Sequence, residues 1–185
     1  DMFIALYDRD TQSISFPLAY SMGTRVPDVR KNDSDAEYRA YAPRQLGARK
    51  GLTDWVIRTR QPLLIPKDFD RWVSNEPEIE AFALDTKCWL GAPILFRDEV
   101  IGVIGLQSFR AEGVYDKGHE NLLVTLASQV AVALENVRLL RAQLAAAARD
   151  ERERLFEEQA SQRQKRLDQL QQISQRMTEA SIEPD

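Results

Sequence analysis

This chain is sparing with the residue types that carry covalent or metal chemistry. It has one cysteine, Cys88, and one histidine, His119, in 185 residues. A lone cysteine excludes an intramolecular disulfide and any cysteine-cluster metal site, and it fits a reducing, cytoplasmic setting. As a thiolate, Cys88 would be a nucleophile or redox centre, which makes a small redox enzyme one reading of the chain. As a buried thiol at the start of a strand it would be an inert, small apolar group. His119 stands in Lys117-Gly-His-Glu-Asn-Leu122, where a His-Glu pair at a helix start has the form of a phosphoacceptor. Asn121-Leu-Leu-Val follows it, however, and not the Arg-Thr-Pro-Leu of a kinase box, so it reads as a solvated first-turn residue. Iron sites generally use more imidazoles than one. Asp68 and Asp70 are paired acids of the kind used in proton transfer, with loop solvation as the plain account. No phosphate-cradling Gly-rich loop, Gly-x-Ser-x-Gly elbow or metal-ligand spacing occurs. The expectation is a protein that is not an enzyme, with no catalytic residue and no metal.

The hydrophobic pattern predicts what positions these groups. Residues 2–7 and 13–20 are β-prone runs joined by the polar turn Asp8-Arg9-Asp10-Thr11, a hairpin. Residues 21–48 are polar and irregular and fit a loop with at most a short helix. Gly51-Leu-Thr-Asp-Trp-Val-Ile-Arg-Thr59 predicts a helix capped by Thr53 or Asp54 and stopped before Gln61-Pro62. Leu63-Leu-Ile65 predicts a short strand. Residues 88–96 and 100–109 flank the turn Arg97-Asp98-Glu99 and are apolar on both faces, which marks central, covered strands. Gly102 and Gly105 weaken such a strand unless backbone or ligand comes close there. From about Asp116 to Ala180 the chain is rich in strong helix formers and predicts one long helix or two nearly continuous ones. Leu122, Leu123, Leu126, Val130, Ala133, Leu134, Val137, Leu140 and Leu144 form a stripe on it that must be buried against the sheet, another helix, or both. Hairpins flanked by helices predict an α+β fold, an antiparallel β-sheet packed by helices.

Composition narrows the partners. The formal charge of -4 comes from 25 basic and 29 acidic residues scattered in both signs, so no basic face points to nucleic acid. No stretch approaches the roughly 20 apolar residues of a transmembrane helix, and Asp1-Met2-Phe3 opens no signal peptide. The expectation is a cytoplasmic segment without membrane contact. Its abrupt start in a strand-like run is what a piece of a longer protein would show.

The order of hairpin, loop, Gly51-Leu-Thr-Asp-Trp-Val-Ile helix, Gln61-Pro-Leu-Leu-Ile-Pro66, Leu90-Gly-Ala-Pro-Ile-Leu95 and Val100-Ile-Gly-Val-Ile-Gly-Leu106 resembles a GAF domain. Tyr115-Asp116 and the helix from Leu122 to Asn136 extend the resemblance to about residues 1–144. None of these motifs is catalytic, so they inform fold more than activity. The family's usual first helix is absent ahead of the first strand. Leu167-Asp-Gln-Leu-Gln-Gln-Ile-Ser-Gln-Arg-Met177 is similar to the opening helix of another GAF repeat or of a histidine-kinase dimerisation segment.

The resemblance implies a pocket between the sheet and covering segments, here about 21–48 and 66–88. These contain Tyr38, Tyr41, Phe69, Trp72 and Phe82, with Trp55 and Trp89 adjoining. Such rings suit planar ligands by stacking, or else simply fill the core. The pocket candidates are Trp55, Asp68, Phe69, Trp72, Phe82, Cys88 and Trp89. The ligand is an unidentified small molecule, and the cofactor, if there is one, is unknown. Bilin-binding relatives usually carry histidine after the attachment cysteine, whereas Trp89 follows Cys88, and the phytochrome Asp-Ile-Pro is absent. Methionine-sulfoxide-reducing relatives use several cysteines, and the cyclic-nucleotide motif Asn-Lys, Phe, Asp-Glu is not found.

Residues 145–185 form a second region, a helical coiled-coil linker leading to a further domain. Its apolar residues are too sparse to pack on a domain, and an isolated helix of this kind is marginal in water, so a homodimer through the C-terminal helices is expected. Leu140, Leu144, Ala147 and Glu151 follow heptad spacing, which slips near Leu155 and again between Gln162 and Leu167, as stutters do. The whole reads as a sensory module of a signal-transduction protein, in a histidine kinase of a two-component system or a multi-GAF regulator. A structural dimerisation module without ligand is the alternative, beside the redox enzyme.

Overall fold

A computed structural model of the chain describes residues 1–21, 24–25, 41–79 and 85–180. Two hairpins make the sheet. β1 (Met2–Asp8) and β2 (Ser13–Ser21) pair antiparallel, with Tyr7 opposite Ile14 and Asp8 opposite Ser13. Their turn is pinned where Asp8 Oδ1 accepts the Thr11 N–H at 2.9 Å. β3 (Thr24–Arg25) and β4 (Arg44–Gln45) both pair with β2, at its end and its start.

The second hairpin joins β6 (Cys88–Phe96) to β7 (Glu99–Ser108). Its turn is the two residues Arg97 and Asp98, both at positive φ (48° and 65°), the handedness that matches strand twist. β5 (Leu63–Ile65) flanks β6, and β1 pairs with β7 through Phe3–Gly105 and Ala5–Val103. The order is β3-β2-β1-β7-β6-β5, with every pairing antiparallel. Among the described residues β5 meets Trp89–Gly91 alone, so from Ala92 onward β6 has β7 as its one strand neighbour there and tolerates Pro93, which has no N–H to give.

Helices cover both faces, which is why β6 and β7 are apolar on both. On the front lies α1 (Leu52–Thr59), whose Val56 and Ile57 join Phe3, Ala5, Leu63, Ile65, Trp89 and Val103 in one core cluster. α1 is capped by the extended Gly51 with no side-chain bond, not by Thr53 or Asp54, and ends at Arg60 in the left-handed region. Asp54 instead lies in the first turn with its carboxylate turned inward. The segment 66–88 adds a short helix that the sequence pattern did not predict, α2 (Phe69–Asn75).

On the back lies α3 (Lys117–Ala180), a single 64-residue helix. Asp116 precedes it, and its Oδ1 accepts the His119 N–H at 2.9 Å and sits 2.6 Å from His119 Nδ1. Those hydrogen bonds, the backbone one first, hold the Asp116 carboxyl below the usual range. Leu123, Ala127 and Ala131, with Val130 and Leu134 partly buried, pack on Leu90, Ala92, Ile94 and Ile104. The sequence stripe therefore splits in two. The small alanines bring the helix onto the sheet, while Leu122, Leu126, Val137, Leu140 and Leu144 of the expected stripe are exposed. By length and composition alone α3 is apolar enough to cross a membrane, with a mean hydropathy of 1.4 in its best window. This qualifies the expectation from sequence, because the window reaches that hydropathy without an unbroken apolar run.

The chain divides into two compact units, Asp1–Glu135 and Asn136–Asp185. The sheet-facing side chains end at Leu134, so the first unit closes earlier than the sequence stripe, which continues to Leu144.

Candidate ligand-binding site

The front face is built around glycines. Gly91 and Gly105 are Cα partners across β6 and β7. A Cβ on Gly91 would overlap the Trp89 ring, and one on Gly105 the Phe3 ring. Gly102, paired with Ile94 on the opposite face, is a glycine for a different reason, since a Cβ there would meet the Ala5 carbonyl oxygen. The close approach that these glycines demand is thus supplied by the protein's own rings and backbone. Phe3, Phe16 and Tyr41 form a triangle with all three centroid separations at 5.7 Å. Gln107 Nε2 donates to Tyr41 Oη at 2.6 Å in the buried interior. Trp55, Phe69 and Trp72 pack, partly buried, against the same cluster.

Beside the rings lies an ion pair that no sequence motif announced. Thr53, Asp54, Val56 and Ile57 are the buried residues of α1, so Asp54 sits among them as a carboxylate needing partners. It takes two. Arg44 Nη2 donates to Asp54 Oδ2 at 2.5 Å, and the Gly47 N–H donates to Oδ1 at 2.8 Å. The Asp54 side chain is 1% exposed and that of Arg44 11%. The Arg44 guanidinium also stands 5.6 Å from the Phe16 ring centroid. Burial lowers the Arg44 pKa, Asp54 opposes that shift, and Arg49 adds like charge. Arg44 Nε and Nη1 are buried without a hydrogen-bond partner among the described residues. An unmet buried donor costs roughly 1–3 kcal/mol, more when charged. A carboxylate on the apolar side of a helix was the one sequence signal for this pair.

The GAF-domain family model matches residues 2–135, nearly three quarters of the chain. The chain belongs to the GAF family. Three solved structures share its fold. The GAF domain of an Acinetobacter phosphoenolpyruvate-protein phosphotransferase is 18% identical, with a TM-score of 0.53, over 76% of this chain and 73% of that one. A methyl-accepting chemotaxis protein fragment is 21% identical, with a TM-score of 0.53, over 76% and 80%. A GAF/HD-domain protein from Geobacter sulfurreducens is 18% identical, with a TM-score of 0.52, over 75% and 81%. A search of curated proteins finds no match.

Within this GAF domain the expected pocket residues part company. Trp55, Phe69, Trp72 and Trp89 meet in one cluster. Asp68 is exposed, in the left-handed region, and its N–H donates to Glu112 Oε1 at 3.2 Å. Its carboxylate makes no capping bond to α2. Strand alternation turns Trp89 to the front and Cys88, with Leu90, Ala92 and Ile94, to the back. Cys88 is fully buried there, near enough to Tyr115 to contribute, after burial, to raising the tyrosine pKa. It therefore does not line the front-face site. Phe82 and Tyr38 lie outside the described residues.

Proposed function

We propose that this GAF domain is a sensory module of a signal-transduction protein. It binds a small molecule at the front-face cluster of Trp55, Phe69, Trp72 and Trp89 and passes the bound state to α3. The observation that carries this reading is the adjacency of Trp89 and Leu90. One belongs to the front cluster and the next to the cluster packed against Leu123 and Ala127 of α3. A single strand is thus the whole thickness between the rings and the output helix. α3 continues from there with Leu140, Leu144, Leu155, Phe156, Leu167 and Leu170 exposed, which supports a homodimeric coiled coil as the output. A histidine kinase or multi-GAF protein of the cytoplasm is the parent architecture that fits such an output. Leu123, Ala127 and Ala131 of α3 pack on the sheet, and the reading places no membrane contact on this helix.

Binding without catalysis is the reading favoured over the redox enzyme, because Cys88 is fully buried on the face away from the rings. The test is thermal unfolding of the whole chain against a broad metabolite set. A ligand that raises the midpoint in proportion to its concentration supports the module. If no compound raises it, the ligand-free dimerisation module stands in its place.

A further inference from the structure

The unused nitrogens of Arg44 specify what kind of molecule the front face takes. We propose that Arg44 is an anion-recognition residue, whose Nε and Nη1 donate to a carboxylate or phosphate oxygen carried by the ligand. The inference rests on the ligand-binding reading above and adds a chemical class to it.

Asp54 cannot meet the demand alone. Its Oδ2 takes Nη2 of Arg44, and its Oδ1 is held by the Gly47 N–H. The carboxylate is thus fixed from both sides and does not serve the remaining guanidinium nitrogens. Those nitrogens are out of water and without an acceptor among the described residues. Burying a guanidinium is unfavourable unless its donors are matched. Charge-assisted bonds to oxyanions are the strong form of arginine recognition. The surroundings fix the rest of the ligand. Phe16 braces the guanidinium, and Phe16, Leu46 and Trp55 belong to the same apolar cluster, so an anionic group on an apolar or aromatic body fits best.

The plain rival is a structural latch, in which Arg44 only ties the strand before Gly47 to α1. Titration of the 185-residue chain with sodium benzoate, inorganic phosphate and neutral benzamide at constant ionic strength separates the two. Each titration is followed by thermal unfolding and by the ¹⁵N-edited resonance of Arg44 Nε–H. Under the proposal, benzoate or phosphate raises the midpoint and shifts that resonance, benzamide does neither, and Arg44→Lys weakens binding at least tenfold. Stabilisation by benzoate alone assigns a carboxylate, and by phosphate alone a phosphate ester. Arg44→Lys binding the anions as well as the parent overturns the proposal. If that variant does not fold, an Arg44 resonance unmoved by any anion overturns it equally. Benzamide binding as well as benzoate leaves a ligand-binding module and removes the anion. Silence from these probes and from the broad metabolite set removes both.

Discussion

Gly91 and Gly105 face each other as Cα partners across β6 and β7, and each lies under an aromatic ring, Trp89 over the first and Phe3 over the second. The two rings take the space that side chains at these positions would need. Overpacking a core of this kind costs about 1–3 kcal/mol. Gly91→Ala and Gly105→Ala should each lower the denaturation midpoint within that range. Gly102→Ala should cost more, because its Cβ meets the Ala5 carbonyl oxygen, which no rotamer change relieves. Equal midpoints for parent and Gly102→Ala would contradict this packing.

Asp54→Ala leaves a buried arginine without its carboxylate. Removing one member of a buried pair typically costs about 3–5 kcal/mol, whereas replacing both by apolar residues is far milder. Urea denaturation should therefore show a large loss for Asp54→Ala and substantial recovery in the double variant Arg44→Met/Asp54→Leu. A double variant as unstable as the single one would show that the loss comes from the bonds Asp54 makes and not from an orphaned arginine charge.

The cap of α3 predicts a pH dependence. The Asp116 carboxyl is held below its ordinary value of about 3.9, so the folded state favours the ionised form. Its contribution is fully present above the unfolded value and disappears as pH falls through the lower folded value. Asp116→Asn keeps a capping oxygen and removes the charge. The difference in melting temperature between parent and variant should be greatest near neutrality and vanish in the acid region below about pH 4. A difference that persists unchanged to low pH would assign the effect to something other than ionisation.

Leu140 and Leu144 are exposed on α3 at heptad spacing. With Leu140→Glu and Leu144→Glu together, sedimentation should move from the mass of two chains to that of one, with the unfolding of the sheet domain little changed. A parent that already sediments as a single chain at high concentration would remove the coiled coil.

Cys88 is fully buried. Reaction with a thiol reagent should be negligible in buffer and complete in denaturant. Rapid labelling of the native protein would reopen the redox reading.

Much of the fold was legible because the chain obeys period-two and near-four patterns at full strength. The hairpin from Cys88 to Ser108 was readable from apolar runs around Arg97-Asp98, and α1 from its stop at Pro62. The site was less so. Alternation shows that Cys88 and Trp89 face opposite ways, but which way is front depends on where α1 and α3 pack, a long-range fact. α2 is short, and its boundaries carry no side-chain cap to announce it. On α3 the sheet-facing Leu123 and the exposed Leu122 are neighbours in sequence, so spacing alone places both on one apolar stripe. Arg44 and Asp54 are ten positions apart, and only the packing of α1 brings them together.

The chain has three tryptophans, Trp55, Trp72 and Trp89, and all of them belong to the front-face cluster. Indole emission from the whole chain therefore originates in one place, with none contributed by α3. The protein carries its own optical probe there, and a change in the colour or yield of its ultraviolet fluorescence reports events among these rings without any label.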